Sequence, residues 1–481
     1  MSDPVVVAGG GPTGLLLACE LRLAGVGVVV LERTTEDPEH SQGMAVHGRT
    51  LEALETRGLA ERVRAQGIFP WPRTPFSFFW LDLADVGEQD WTFAMPQWKL
   101  LRVLRDRAAE LGVDLRRGHE LVGLEQDADG VSVTVAADGA EYALRGSYLV
   151  GADGPDSRVR SLAGIALPDD GSGYSGLLGD VVIADDDHET FDAGLRPQGI
   201  FGALPLQPGT LRLMTIEFGA KGPAADEPVT ADELRDSIER LTGKRPTLRE
   251  VRWLSRFGHP TAVADRYRSG RVLLAGDAAH VLFISGTQGL NTGLQDALNL
   301  GWKLAAEVQG RAAPGLLDSY EIERRAVGER VRAHALAQLA LMHPLDRVEP
   351  LRLLFGEILE LPEANRHVLQ AATLTRYDLP HPGEQAHPLL GERIPNLPPV
   401  VRVLTEGRAA LVDNTPGAAV ADTAAAWKDR VGVVRDEEAA GIGAAVVLVR
   451  PDGHVAFADA GGEDLDGLRW ALLTWFGDPV G

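Results

Sequence analysis

The segment Ala275–Gly289, AGDAAHVLFISGTQG, sets a Gly-Asp pair directly after an apolar run. A carboxylate at a strand end can bind the hydroxyls of a ligand. It can equally cap the next helix, because Asp is a favoured N-cap. The second half, LFISGTQG, is apolar for a loop lying against a polar ligand. A second chemical signal stands near the start, where Gly9, Gly11 and Gly14 follow the run Val5–Ala8 with the spacing GxGxxG. The first glycine allows a tight turn, the second lets a phosphate approach the backbone, and the third lets helix and strand pack closely. Amides near Pro12 and Thr13, at the helix start, would cradle a pyrophosphate. GVVVLER then reads as a second strand ending at Glu32, next to Arg33. A carboxylate there can take both hydroxyls of an adenosine ribose and repels a 2′-phosphate, so the dinucleotide held is FAD or NAD and not NADP.

These residues need a strand–turn–helix–strand unit to position them, and the pattern supplies it. Val5–Ala8 is short and β-branched, which suits a buried parallel strand. Two later stretches repeat the arrangement of strand and polar end. YLVGADGPDSRVR (Tyr148–Arg160) runs into Asp153-Gly154, and GRVLLAGDAAH runs into Gly276-Asp277. After the latter, QGLNTGLQDALNLGWKLA puts Leu290, Leu294, Ala297, Leu298 and Leu304 near a helical apolar stripe.

The totals bound the class. A chain of 481 residues exceeds one ordinary core and predicts two or three domains. With 44% hydrophobic and 24% charged residues it reads as a soluble globular protein. The formal charge of −22 repels nucleic-acid phosphates and anionic lipid, which argues against nucleic-acid and membrane partners. Cys19 is the sole cysteine, so no internal disulfide or CxxC pair exists. No signal peptide or membrane-length apolar run is evident, and the expected location is cytoplasmic. The twelve histidines show no metal-ligand spacing, and His280 reads as a packed element of its loop.

In their order, the three signals resemble those of the FAD-dependent aromatic hydroxylases related to para-hydroxybenzoate hydroxylase. More narrowly, the chain is similar to the actinobacterial branch acting on aromatic polyketides and rifamycin-type antibiotics. The resemblance implies an α/β fold: a Rossmann-like FAD-binding domain, an inserted antiparallel-sheet substrate domain, and a C-terminal thioredoxin-like domain. It implies FAD bound along Gly9, Gly11, Pro12, Thr13, Gly14, Glu32 and Arg33. Gln97 would lie near the ribityl chain and phosphate, and Asp277 on the ribityl chain. Backbone at Gly289, Leu290 and Asn291 would meet the pyrimidine edge of the isoalloxazine. Asp153 would lie near FAD and a transient NADPH or NADH. The implied reaction uses NAD(P)H and O2 to hydroxylate an apolar polycyclic aromatic. Such chemistry needs a site that excludes water more than it needs an acid or base, and no catalytic side chain is nominated. A helix starting near Gly289 would aim its positive end at the negative edge of reduced flavin.

The expected domain pattern assigns 1–75, 97–176 and 258–375 to FAD binding, and 76–96 with 177–257 to the substrate sheet. A Pro-, His- and Gly-rich linker would span 376–396, before the cysteine-free thioredoxin-like domain 397–481. Phe79, Trp80, Trp91, Phe93 and Phe201 are candidates to line the substrate cavity; each could instead fill the core between sheet and flavin domain. A long helical run is expected at Leu316–Leu341 and a second helix near Leu351–Leu374.

Four positions depart from the family pattern. Gln42 stands where an arginine usually approaches the FAD pyrophosphate, a loss that Arg49 or Arg33 could offset. Leu282 replaces a frequent histidine, Ile284 a proline, and Thr287 a glycine of the GGQG turn. A Thr there would be strained if the turn needs positive φ. These departures leave open Baeyer–Villiger oxidation, epoxidation, a redox-neutral cyclisation or dehydration, or a non-catalytic partner role. A homodimer is also left open.

Overall fold

The computed structural model describes residues 3–71, 73–83, 86–168, 171, 174–184, 193–207, 209–219, 227–283, 287–373, 376–383, 385–435 and 442–479. Its centre is a six-stranded sheet in the order Arg268–Ser269, Val272–Leu274, Tyr148–Gly151, Val5–Ala8, Val28–Glu32, Asp114–Arg117. All neighbours pair in parallel except the first two. The inner strands are continuous runs of Val and Leu because both faces are packed, the helix Pro12–Leu23 and the three-stranded sheet Glu120–Gln126, Val131–Ala137, Ala140–Gly146 sharing their core, leaving no side for polar residues. Val5, Val6 and Val7 are fully buried.

The helix Pro12–Leu23 starts with Pro in its first turn, where a missing N–H costs nothing. It packs against Gln97–Glu110 and Gln288–Val308. Cys19 lies in this core, where burial pushes its thiol up to about 12, so it is an inert apolar filler.

The inserted sheet is fully antiparallel, ordered Gly194–Arg196, Gly199–Gln207, Thr210–Glu217, Gly176–Ile183, Leu248–Phe257. One face is covered by the helix Ala231–Thr242, capped by Thr230, whose hydroxyl accepts from Glu233 N, and ended by Gly243 at φ 73°. The other face packs on Phe283 and on Ala335, Leu339 and Met342 at the end of the helix Asp318–Ala340.

The C-terminal sheet runs Val431–Val434, Ala409–Asp413, Val446–Val449, Val455–Asp459. The first pair is parallel and the other two antiparallel, and Leu465–Phe476 closes the unit. With the helix Ala419–Ala424 between its first two strands the unit runs β-α-β-β-β-α, in keeping with the thioredoxin-like domain that the resemblance implies. Two expectations need correction. The second long helix is two helices, Leu345–Leu359 and Pro362–Thr373, divided before Pro362, which disfavours helical geometry in the residue preceding it. The Pro-rich segment before the C-terminal sheet connects the two units but is packed: Tyr377, Leu379, Leu390 and Ile394 are buried. Among the described residues, no helix is long and apolar enough to cross a membrane, and no cluster of three or more His, Cys, Asp or Glu could hold a metal.

Candidate functional site

The three polar strand ends meet. Val5–Ala8, Tyr148–Gly151 and Val272–Leu274 occupy adjacent places in the sheet, so Gly9, Ala152-Asp153 and Gly276-Asp277 emerge side by side at their carboxyl ends. The backbone ties them: Ala152 N donates to Ala8 O at 2.8 Å and Ala275 N to Gly151 O at 2.9 Å. In open α/β sheets this edge is where ligands bind.

The glycine turn is shaped by close approach. Gly9 has φ 108°, and a Cβ there would sit 2.2 Å from Ala152 O. A Cβ on Gly14 would sit 2.0 Å from Gly9 O, so the helix can cross the strand only with glycine here. Gly11 differs: a Cβ there would meet nothing within 4 Å, so this side of the turn is open. The first helical bond runs from Leu15 N to Gly11 O, leaving the amides of Thr13 and Gly14 without helical partners. Glu32 closes the turn from beside it. Its Oε2 accepts from Gly10 N at 2.7 Å, and its Oε1 accepts from Thr34 N and Oγ1, both at 2.8 Å. Arg33 is exposed.

Gly276, with φ 61°, and Gly293 close on the same point. A Cβ on Gly293 would lie 2.5 Å from Thr13 Oγ1, and one on Gly276 would lie 2.8 Å from it. Thus the first and third signals of the sequence touch at Thr13. Asp277 makes no hydrogen bond or ion pair among the described residues. Its surface is open, yet burial pushes its carboxyl pKa up, with His280 and His259 opposing. The two facts agree if the group stands at the bottom of a recess, touched by solvent and enclosed by protein.

Across that recess the helix Gln288–Val308 begins; a Cβ on Gly289 would lie 3.4 Å from Asp277 Oδ1. Gln288, Gly289 and Leu290 have no preceding helical carbonyl for their N–H groups. Asn291 is buried and spends its side chain on the protein: Oδ1 accepts from His47 N (2.9 Å) and Thr50 Oγ1 (2.7 Å), and Nδ2 donates to Thr287 O (2.8 Å). Thr287 has φ 55°, so the turn does take the left-handed conformation that strains a Thr, and its hydroxyl lies 2.9 Å from His47 Nε2. Leu282 is half-buried and packs against the core cluster that the helices Gln288–Val308 and Asp318–Ala340 share with the C-terminal unit. Ile284 lies outside the described residues.

The remaining candidates divide. Gln97 begins its helix and donates from its N to Gly43 O at 3.0 Å, beside the Gln42 loop. Gln42 turns away to the inserted sheet, its Nε2 donating to Ser255 Oγ at 3.1 Å. Arg49 is engaged by Glu52 and Asp90 at 3.2 and 3.1 Å, so it is not a free cation to replace the missing arginine. Asp153 uses both oxygens locally, accepting from Ser157 Oγ and Val159 N to fix the start of Arg158–Leu162. Arg160 bridges the second and third signals through Ala278 O at 3.1 Å and Pro155 O at 2.8 Å.

The aromatic candidates are the least well placed by sequence. Phe201 is fully buried among Leu177, Leu213, Leu234 and Ile238, on the sheet face covered by Ala231–Thr242. Side chains alternate along a strand, so its neighbour Ile200 faces the flavin side instead. Phe93 packs in the core of the six-stranded unit with Trp91 against it. Trp80 is 53% exposed on the hairpin Arg73–Phe76/Phe79–Asp82, and Phe79 packs on Phe355. Sequence reasoning passed over the rings on the inner face: Tyr174, Phe218, Phe283 and His343, with Phe218 and His343 centroids 4.3 Å apart. Phe78 joins them from the hairpin turn. Ser77 and Phe78 hold φ 50° and 64°, a left-handed pair usually given to Asn-Gly. Gln338 and Arg352 hold it there: Ser77 Oγ donates to Gln338 O at 3.0 Å, and Arg352 Nη1 donates to Ser77 O at 2.9 Å.

The residues present fit an FAD molecule: an open glycine turn and, among the described residues, amides at its helix start without helical partners, an unpartnered recessed carboxylate, and a helix start facing it. Fold and site together define a flavin-dependent oxidoreductase. The FAD binding domain family matches residues 2–335, and the aromatic-ring hydroxylase C-terminal family matches 387–479. The chain belongs to the FAD-dependent aromatic hydroxylases and is an FAD-dependent monooxygenase. It is 42% identical, with 100% of both chains covered, to a 12-dehydrotetracycline 5-monooxygenase/anhydrotetracycline 6-monooxygenase from Streptomyces rimosus. It is 41% identical, with 99% of both covered, to a dialkyldecalin synthase from Streptomyces rugosporus. The solved structure of an anhydrotetracycline hydroxylase from Streptomyces rimosus superposes with a TM-score of 0.91 at 40% identity, covering 100% of each chain.

Proposed function

We propose that this protein hydroxylates a polycyclic aromatic of polyketide type, using NADPH or NADH and O2. The observation that carries the reading is the recess where Asp277, the glycine turn and the start of Gln288–Val308 converge, with Phe283 of the same loop packed on the aromatic inner face of the inserted sheet. In this reading the amides of Thr13 and Gly14 hold the FAD pyrophosphate, Glu32 the ribose, and Asp277 the ribityl hydroxyls. Gln97 lies along the same chain, and the first-turn amides at Gly289 and Leu290 face the pyrimidine edge, where a helix start favours negative charge. When bound, FAD supplies the redox and oxygenating chemistry. The protein orients the ring and keeps water from it; Tyr174, Phe218, Phe283, His343 and Phe78 form an aromatic wall suited to a flat apolar substrate. The domain pattern of a flavin unit, an inserted substrate sheet and a thioredoxin-like unit is part of the same proposal.

A second reading keeps FAD without net oxidation of substrate. It is motivated by the strained Thr287 and by the relative named dialkyldecalin synthase. One experiment separates the two. The purified yellow protein is mixed with polycyclic phenols, O2 and NADPH or NADH, and cofactor oxidation and product mass are followed. Hydroxylation requires nicotinamide consumption and a product one oxygen heavier. A product of unchanged mass without nicotinamide consumption would establish the second reading, and a protein that cannot be loaded with FAD would defeat both.

A further inference from the structure

Behind Asp277 runs a line of buried groups that ends in the C-terminal unit. Asp296, on the helix Gln288–Val308, is fully buried and accepts three hydrogen bonds. Its Oδ2 takes Gly276 N at 3.0 Å and His280 Nε2 at 2.7 Å; its Oδ1 takes Arg324 Nε at 2.6 Å. Arg324 is also fully buried, and donates from Nη2 to Thr292 O at 3.1 Å and from Nη1 to the Tyr377 hydroxyl at 3.0 Å. Tyr377 is locked by the C-terminal unit. Its N donates to Gly391 O, Gly391 N donates to Val455 O, and its ring lies 4.3 Å from that of His454. The guanidinium of Arg450 sits 5.3 Å from the same ring and is held by Glu323, the residue before Arg324, with both bonds at 2.8 Å.

We propose that Tyr377, Arg324 and Asp296 are positioning residues through which the C-terminal unit sets the flavin affinity of the Gly276-Asp277 turn. The turn peptide has a left-handed φ at Gly276, and its N–H is directed by Asp296 alone among the described side chains. Asp296 in turn has no freedom: a carboxylate in an apolar core keeps its charge only where donors surround it. Arg324 supplies one of those donors, and Tyr377 fixes the plane of Arg324. Loss of the Tyr377 hydroxyl leaves Nη1 of the buried guanidinium without that acceptor, so Arg324 shifts against its two remaining bonds to Asp296 and Thr292 O, and the shift passes through Asp296 to the backbone that carries Asp277. This gives the cysteine-free C-terminal unit a role in the flavin site without contact with the flavin, and it rests on the reading that Asp277 holds the ribityl chain.

The test uses the full chain and free FAD. Dissociation constants are measured by flavin fluorescence for Tyr377→Phe, Arg324→Lys, Asp277→Ala and Trp427→Phe, with circular dichroism and thermal unfolding of each FAD-free protein. Trp427→Phe removes a buried bond of the C-terminal unit, Nε1 to Gly477 O at 2.8 Å, which is not part of the relay. Tyr377→Phe is expected to weaken FAD about tenfold, with Trp427→Phe within twofold of the parent. If Tyr377→Phe does not fold, Arg324→Lys is judged by the same criterion. Unchanged affinity in the relay variants, with Asp277→Ala weakened, overturns the relay and leaves the Asp277 reading standing. Unchanged affinity in Asp277→Ala overturns the reading itself. Equal weakening in Tyr377→Phe and Trp427→Phe would reduce the effect to general destabilisation and also overturn the relay.

Discussion

His47 Nε2 lies 2.9 Å from the hydroxyl of Thr287, a residue held at φ 55° immediately before the helix that faces Asp277. The contact offsets the backbone cost of a β-branched residue in the left-handed region, about 1–2 kcal/mol. Thr287→Gly removes cost and contact together and is expected to change stability by less than about 1 kcal/mol. Thr287→Val keeps the cost, loses the hydroxyl, and is expected to destabilise by about 1–2 kcal/mol. Denaturant unfolding of the two variants measures this; a Val variant as stable as the parent would mean the hydroxyl contributes nothing.

Gln42→Arg is expected to tighten FAD several-fold. By the resemblance to the family, Gln42 stands where an arginine approaches the FAD pyrophosphate, and Arg49 is already neutralised by Glu52 and Asp90. The change costs the Gln42 bond to Ser255, which is exposed and weak. Fluorescence titration with FAD checks the prediction, and unchanged or weaker binding refutes it.

Phe78 and Phe201 should separate function from stability. Phe201→Ala opens a hole on the helix-covered face and should destabilise the fold by about 3–5 kcal/mol. Phe78→Ala truncates a half-buried ring at the inner aromatic wall, and is expected to raise KM for a polycyclic substrate several-fold with a smaller loss of stability. Steady-state kinetics beside thermal unfolding read both, and a Phe78 variant with unaltered KM removes it from the substrate wall.

The interface between the two units should make the protein acid-labile. Glu323 is clasped by Arg450 and lies 3.0 Å from Lys303; although burial opposes ionisation, these cations hold its carboxyl at about 2. A folded pKa below the usual value of 4.5 contributes stability that is complete above that value and lost as pH falls from 4.5 toward 2. Glu323→Gln should lower stability at neutral pH by about 3–5 kcal/mol, because it leaves buried cations short of a partner. It should also flatten the pH dependence in that window. Unfolding midpoints between pH 2 and 7 decide it, and an unchanged slope counts against this assignment.

The glycine turn, Glu32 and the two strand-end aspartates were legible because each is a local signal, with residue types and spacing set by one strand–turn–helix. The fold class followed from their order. Phe201 was misplaced because its run carries apolar residues on both faces, so alternation alone could not say which face meets the flavin unit. Asp153 has a strand-end position that points to a ligand in sequence, and in the fold its oxygens serve the turn that follows it.

By itself the sequence determined the flavin unit and the covalent spacing of its phosphate turn, since both depend on neighbours within a few residues. Tertiary structure alone decided that Asp296, Arg324 and Tyr377 form one line behind Asp277, and that Arg450 answers Glu323 across 127 residues of chain. Buried charges choose partners by distance in the folded core, where water no longer screens them. That distance is set by how helices and sheets pack, and no spacing along the chain encodes it.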